Sequence, residues 1–469
     1  MKKIQGIDKE IKKLKAHLTQ LKLNVKTRSM GVLLNQEATI RKKMKVVQYL
    51  LNQLEETNEQ QIYQDYLRLL NDASEQILNL YNEENETEYR LEEVIEGFEE
   101  EYMQNGVLYI LLSRYLPGLM NSPHFAILPS HPKDEYPIAR QMKRKFYLHL
   151  GETNTGKTYH AMKKLELGED GIYLAPLRLL ALENYEKMNQ DGVKCHLLTG
   201  EEEVLIEGAH HISCTIEKLD LEKEYHVAVI DEVQLIQDSI RGASWTRAIL
   251  GILSPEIHLC GALNVKSLLI QMITECGDEY ECIEYFRNIP LQFESTAYQL
   301  NKPIKGDALI AFSKKKVLEL SRYYQDRGFK TSIIYGDLPP EVRRIQYQSF
   351  SEGQSELLIS TDAIGMGVNL PIRRIVFVSA KKFDGEVVRE LTSQEVKQIA
   401  GRAGRKGIYE IGYVTGLDEH LAFVKEKLEC KDEVIQQAII GPHESMLEIK
   451  GIPLIEKLMI WENHYQDIH

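Results

Sequence analysis

The stretch Gly151-Glu152-Thr153-Asn154-Thr155-Gly156-Lys157-Thr158 fits the pattern GxxxxGK[ST] in full. A β-prone apolar run, Phe146–Leu150, precedes it, and a helix-like run follows. In that context the glycines let backbone N–H groups wrap phosphate oxygens at a helix N-terminus, whose dipole favours anions. Lys157 is expected to reach the β- and γ-phosphates as a point charge, and Thr158 to place its hydroxyl on Mg2+. Gly151, Glu152, Thr153, Asn154, Thr155, Gly156, Lys157 and Thr158 together form the expected nucleotide-binding loop.

Such a loop needs an acidic partner at a second strand end. His226-Val-Ala-Val-Ile-Asp231-Glu232-Val233-Gln234 supplies it: apolar residues run into an Asp-Glu pair. Asp231 is expected to hold Mg2+, directly or through water. Glu232 is expected to polarise the attacking water as general base. A γ-phosphate in transfer needs further positive charge. Gln398-Ile-Ala-Gly401-Arg402-Ala-Gly404-Arg405-Lys406-Gly407 offers it, with Arg402 and Arg405 as candidate fingers from across a cleft.

Working outward, short β-rich runs alternate with helical stretches at Phe146–Leu150, Ile172–Ala175, His226–Ile230 and Ile257–Cys260. A second set follows at Ala308–Phe312, Thr331–Tyr335, Glu356–Ser360 and Arg374–Val378. This rhythm predicts two α/β domains in series, each with a parallel sheet. The expected organisation is a helical domain over 1–116, a Pro-rich linker over 117–140, α/β domains over 141–297 and 298–416, and a helical segment over 417–469.

The first proline is Pro117, and the preceding residues hold only four glycines, which predicts helix. Ile4, Ile7, Ile11, Leu14, Leu18, Leu21 and Val25 recur at spacings of three and four. That reads either as a short heptad seam or as an amphipathic helix packed on its own protein. Residues 1–47 hold 13 Lys/Arg and 3 Asp/Glu, whereas residues 51–104 hold 2 Arg and 16 Asp/Glu. The basic block is open to RNA phosphates, to the acidic block or to solvent alone.

The whole chain has 469 residues and a net charge of −13, which excludes a generally basic nucleic-acid coat but not a local basic path. No run of about 18 apolar residues exists, so no membrane partner is expected. The six cysteines form no CxxC pair, which argues against a zinc site or a disulfide framework and for reduced thiols.

At this point the residues resemble a family: the Suv-type ATP-dependent RNA helicases of superfamily 2, known from the mitochondrial RNA degradosome and from bacterial relatives. The lead-in Tyr136–Lys145, Ala175-Pro-Leu-Arg-Leu-Leu-Ala181, Thr199-Gly200-Glu201-Glu202 and Ser213-Cys214-Thr215-Ile216-Glu217 are similar to its first-domain motifs. So is Asp231-Glu-Val-Gln234, continuing through Arg241-Gly242 to Trp245-Thr246-Arg247-Ala248. In the second domain, Ala311–Lys314, Ile334–Pro340, Ser360-Thr361-Asp362-Ala-Ile-Gly365-Met366-Gly367-Val368-Asn369-Leu370 and Gln398–Arg405 are similar. The resemblance covers roughly 136–416. Glu152 stands where the family usually has proline, and the region after Arg405 is shorter than usual.

The resemblance implies two tandem RecA-like P-loop domains that burn ATP, or other nucleoside triphosphates, with Mg2+. It implies a catalytic set of Lys157, Asp231, Glu232, Gln234, Gln398, Arg402 and Arg405, with Asp362 and Gly365 also at the nucleotide. It implies an RNA path over Pro176, Leu177, Arg178, Gly200, Thr215, Ser313 and Thr361. Asp384-Gly385 between β-prone residues signals a hairpin on which Phe383 is placed to stack on a base. Single-stranded or partly duplex RNA is the expected substrate, with DNA a further candidate and a ribonuclease or other protein as partner through the N-terminal helices. No adenine-reading glutamine motif precedes the loop, so loose base selectivity is expected. The Lys-rich start lacks the cast of a transit peptide, which predicts a bacterial, cytoplasmic relative. The rival readings are an RNA-stimulated remodeller or clamp, a protein-handling RecA-like motor, and an idle scaffold.

Overall fold

The computed structural model describes residues 13, 15–17, 29–51, 60–85, 87–120, 129, 131–287, 289–365, 370–383, 387–405, 407–442, 446 and 454–465. The chain divides into two compact units, residues 1–130 with 442–468, and residues 131–441.

The first unit is helical, with helices Met30–Leu51, Gln60–Asn85, Leu91–Ile95, Glu99–Asn105 and Val107–Met120. Leu33, Ile40, Met44 and Val47 are buried on the first helix, and Ile62, Tyr66, Leu69, Ala73 and Ile77 on the second. Spacings of three, four and seven put each set on one helical face, so the two faces close a common core. The helix Leu454–Tyr465 joins this unit by packing Met459 and Ile460 against Leu112. The expected segment over 417–469 is therefore two pieces: its last helix has an apolar face completed by the first unit, while residues up to 441 belong to the second. The helix Val107–Met120 also runs past the expected boundary at 116 and contains Pro117. The seam from Ile4 to Val25 lies outside the described residues.

The second unit holds two parallel sheets. The first contains β1 (Lys145–Gly151), β2 (Gly171–Ala175), β3 (Cys195–Leu198), β4 (Glu203–Val204), β5 (His211–Thr215), β6 (Val227–Ile230), β7 (Glu256–Gly261) and β8 (Glu279–Tyr285). Their order is β4-β3-β5-β2-β6-β7-β1-β8, with every pairing parallel except β3 with β4. The central strands β2 and β6 are buried throughout, as parallel strands covered on both faces must be. Arg144, 3% exposed, ties the base of β1 to its neighbours: it donates to the Ile249, Leu250 and Ile252 carbonyls and pairs with Asp278.

The second sheet contains β9 (Leu291–Phe293), β10 (Asp307–Ile310), β11 (Thr331–Ile334), β12 (Leu357–Ser360), β13 (Arg374–Phe377) and β16 (Gly412–Gly416), in the order β11-β12-β10-β13-β16-β9. Strand β9 pairs with β16, Leu291 opposite Gly412, so the second domain begins before residue 298. The separate hairpin of β14 (Lys381–Phe383) and β15 (Val388–Glu390) places Phe383 opposite Val388. Its expected turn at Asp384-Gly385 lies outside the described residues.

After the helix Asp418–Glu429, residues 430–441 run as an extended strap back to the first sheet domain. At its start the Asp432 carboxylate takes the Lys397 ammonium at 3.0 Å and the Ser393 hydroxyl at 2.8 Å. Further on, Ile435 N–H donates to the Asn264 carbonyl and Ile439 N–H to the Ile236 carbonyl, each at 3.0 Å. Ile435 is buried in the first domain's core. No helix among the described residues is long and apolar enough to cross a membrane.

Candidate nucleotide cleft and nucleic-acid face

The candidate site grows from the end of β1. Gly151 is held so close to β8 that a Cβ on it would lie 2.2 Å from the Tyr285 carbonyl oxygen, so no larger residue fits. The loop turns through left-handed conformations at Asn154 (φ 64) and Gly156 (φ 87), and the helix Lys157–Leu167 starts immediately after. Lys157 Nζ donates to the Gly151 carbonyl at 2.7 Å. Burial holds its pKa below the usual lysine value, against the opposing charges of Glu232 and Asp231, and Arg402 adds to the depression. Thr155 Oγ1 donates to the Glu152 carbonyl at 2.9 Å, bracing the turn.

Asp231 sits at the end of β6, opposite this loop. Thr158 Oγ1 donates to its Oδ1 at 3.1 Å and the Tyr173 hydroxyl to its Oδ2 at 2.9 Å. Burial raises the Asp231 pKa first, and the charge of Glu232 raises it further. A hydroxyl and a carboxylate oxygen at this spacing are hard donors suited to Mg2+, which takes few protein ligands and fills its shell with phosphate and water. The backbone cradle at the helix start likewise fits a polyphosphate.

Glu232 follows with φ 51. Among the described residues, Asn154 and Glu232 are the only non-glycine residues at positive φ, and both line this cleft. Each such conformation costs about 1–2 kcal/mol, and strain of this kind gathers at working sites. Gln234, 5% exposed, donates from Nε2 to the Glu232 carboxylate. Its Oε1 accepts from Ala262 N–H at 3.1 Å, joining the candidate base to the end of β7.

The second domain closes the cleft with Gln398, Gly401 and Arg402. Arg402 Nε donates to the Gly365 carbonyl at 3.1 Å, which aims the guanidinium into the same space as Lys157 and Glu232. Asn154 Nδ2 reaches the Gly404 carbonyl at 2.9 Å, a direct bond between the two sheet domains. Arg405 is not among the lining residues. Asp362 is also away from the cleft, paired with Lys382 at 3.3 Å. Gly365 contributes through its carbonyl alone. Met366–Asn369 and Lys406 lie outside the described residues.

The residues expected on the RNA path all lie at or just after the C-terminal ends of strands β2, β3, β5, β10 and β12, where open α/β sheets collect ligands. Gly200 and Ser313 are exposed, and Leu177 and Thr215 are half-buried. Ser313 Oγ caps its helix by accepting from Lys316 N–H. Three expected contacts are otherwise engaged. Pro176 is buried, Thr361 is 8% exposed and caps its own turn, and Arg178 is paired with Glu201 and Glu202. Arg178 thus braces two loops with its charge already neutralised. Phe383, by contrast, is 61% exposed on its hairpin.

Sequence reading missed Tyr173, Glu183 and Arg287. Tyr173 and Glu183 line the cleft with Arg287, whose Nη1 donates to the Gly401 carbonyl at 2.9 Å. Only Glu183 carried a visible signal, as the acidic residue that ends the short apolar run Leu179–Leu182 after Ala175-Pro176.

Comparison with known proteins agrees with this geometry. Residues 132–285 match the DEXQ-box helicase domain of Suv3, and residues 292–407 match the helicase conserved C-terminal domain. The chain is 42% identical over 339 residues to the mitochondrial ATP-dependent RNA helicase SUV3 of Oryza sativa subsp. japonica, covering 71% of this chain and 58% of that protein. It is 43% identical over 326 residues to the mitochondrial ATP-dependent RNA helicase SUV3 of Candida albicans, covering 67% and 45%. It is 41% identical over 332 residues to the human mitochondrial ATP-dependent RNA helicase SUPV3L1, covering 68% and 42%. The chain spans about half the length of the curated relatives it matches. These relatives are named as mitochondrial proteins of a plant, a yeast and a human, which overturns the cytoplasmic placement expected from the sequence and leaves the bacterial origin without support. With a Suv3-type DEXQ domain and a helicase C-terminal domain in tandem, the chain belongs to the Suv3-type superfamily 2 helicases.

Proposed function

We propose that the chain is an ATP-dependent RNA helicase that hydrolyses nucleoside triphosphate between its two RecA-like domains and moves along single-stranded RNA. The observation that carries this reading is the facing of the Thr158–Asp231 pair and Glu232 on one domain by Arg402 on the other, within one cleft. When bound, Mg2+ neutralises charge on the β- and γ-phosphates. Lys157 exchanges its Gly151 carbonyl for phosphate oxygens. Glu232, held by Gln234, orients and deprotonates the attacking water. Arg402 supplies charge from across the cleft, so its contact exists only while the γ-phosphate does, and the domains close and reopen with turnover. Gln398 and Arg405 complete the proposed catalytic set, with Asp362 near the nucleotide, supported by their motif positions.

The RNA path over the strand ends of both domains moves with the same closure. Gly200, Thr215 and Ser313 are its proposed contacts, joined by the Pro176–Arg178 and Thr361 backbone, since small hydroxyls and backbone groups hold phosphate without reading sequence. The exposed Phe383 hairpin favours duplex unwinding over a clamp that only remodels. Loose base selectivity belongs to the same proposal, with GTP, CTP and UTP supporting turnover. So does a ribonuclease or other protein docking on the N-terminal helices, supported by the segregated charge of residues 1–47 and 51–104.

The test is ATP turnover without nucleic acid, with single-stranded RNA and with single-stranded DNA, for the wild type and Lys157→Ala. RNA-stimulated turnover that the variant lacks is expected. Turnover indifferent to nucleic acid removes the helicase reading. Displacement of a strand from a duplex with a single-stranded 3′ tail then separates helicase from clamp.

A further inference from the structure

Two side chains outside the cleft connect the buried end of β6 to the loops on the proposed RNA path. Trp245 is 0% exposed, and its indole N–H donates to the Asp231 carbonyl at 2.9 Å. The Arg241 guanidinium lies over that indole, with Cζ 5.5 Å from the ring centroid. The same guanidinium donates from Nη2 to the Pro176 carbonyl at 2.6 Å and from Nε to the Glu217 carboxylate at 2.9 Å. Pro176 begins the loop after β2. Glu217 lies in the turn Ile216–Lys218 directly after Thr215 at the end of β5. The Asp238 carboxylate accepts the Arg241 backbone N–H at 2.8 Å, which fixes where the side chain starts.

Arg241 and Trp245 do not line the nucleotide cleft, so binding of the triphosphate does not require them. Their placement has a different use. A guanidinium is a rigid plane with five donors, able to hold two acceptors in set directions while stacking on a ring. Here the two acceptors belong to two separate loops, and the ring is bonded to the backbone of the residue expected to hold Mg2+. A shift at that backbone therefore reaches both loops through two contacts.

We propose that Arg241 is a positioning residue that couples the nucleotide cleft to the RNA path, making the Pro176 and Thr215–Glu217 loops follow the backbone of Asp231 through Trp245. This rests on the reading of the chain as an RNA-stimulated NTPase. Coupling between two binding sites is reciprocal, so it is readable from either end.

The experiment compares the full chain with its Arg241→Lys and Glu217→Gln variants. Lysine keeps the charge but cannot hold both loops in one plane. Turnover at saturating ATP is measured without RNA and across a titration of single-stranded RNA. RNA affinity is measured by anisotropy without nucleotide and with ADP and beryllium fluoride. In Arg241→Lys the basal rate stays within about twofold, while RNA stimulation falls about tenfold, inside the usual range for coupling between sites. The change in RNA affinity caused by nucleotide shrinks toward none, and Glu217→Gln falls in between. Stimulation and nucleotide-linked affinity that both survive in Arg241→Lys overturn the proposal. So do basal and stimulated rates that fall in equal proportion, because that marks a general loss of fold. A wild type that binds and hydrolyses ATP indifferently to RNA overturns the underlying reading, and the coupling with it.

Discussion

Gln234 accepts a hydrogen bond from the Ala262 backbone N–H at 3.1 Å and donates another to the Glu232 carboxylate. One buried amide thus sets the orientation of the candidate base against the end of a neighbouring strand. Gln234→Ala leaves the Ala262 N–H without its acceptor and lets the Glu232 side chain turn. We expect kcat to fall about 10–100-fold while nucleotide affinity changes less than about threefold. Steady-state turnover beside binding of a fluorescent nucleotide checks this, and an unchanged kcat removes Gln234 from the catalytic set.

The Asp231 carboxyl carries its own pH dependence. Burial, and then the charge of Glu232, push its pKa up to about 6. In the proposed site only the carboxylate form would hold Mg2+, so protons and metal would compete there. Mg2+ for half-maximal turnover is expected to rise roughly tenfold per pH unit below about 6 and to level off above it. Titrations of Mg2+ at pH 5.5, 6.5 and 7.5 test the slope. A requirement flat across that range means that Asp231 does not meet the metal.

Glu183 makes a prediction about stability. Its carboxyl faces the cleft with Leu180 and Asn184 of its own helix, and burial pushes its pKa up to about 7, against the opposing charge of Arg402. A folded pKa above the unfolded one favours folding fully below the unfolded value and loses that contribution as pH rises through about 7. Glu183→Gln removes the loss. The variant is expected to be more stable than the wild type at pH 8 by on the order of 1–3 kcal/mol, with the gap closing as pH falls toward 4.5. Chemical denaturation at both pH values measures it, and equal stability at pH 8 contradicts the assignment.

A substitution at Phe383 tests stepping apart from strand splitting. Phe383→Ala is expected to keep RNA-stimulated turnover within about twofold. Displacement of a tailed duplex is expected to fall by about tenfold, in line with the ~1–3 kcal/mol that a base gains from an aromatic platform. Displacement at the wild-type rate would leave the hairpin a plain connector.

Much of the geometry of the candidate cleft was legible in the residues. A phosphate loop and an Asp-Glu strand end are local patterns, because a turn, a helix start and a strand end each span only a few positions. The buried strands β2, β6 and β7 announced themselves as apolar runs. Strand β5 did not, since His211 and Ser213 satisfy their buried polar atoms on the distant Leu165 and Ala181 carbonyls. Strand β8 hid behind its acidic alternation, which an edge position permits. Strand β9 was placed with the wrong domain because its partner, Gly412, lies far along the chain. The partners of Arg178 were hidden for the same reason: its two carboxylates come from another loop, and no spacing along its own helix reveals them.

The strap of residues 430–441 gives the two sheet domains a second attachment, apart from the connection near Arg287. Outside the cleft, where Asn154 meets Gly404, two bodies held at two separated places swing about the line through them more easily than they twist or slide. Like a door on two hinges, such a pair returns along the path by which it opened. In the proposed cycle, that path brings Arg402 back to the orientation from which it started.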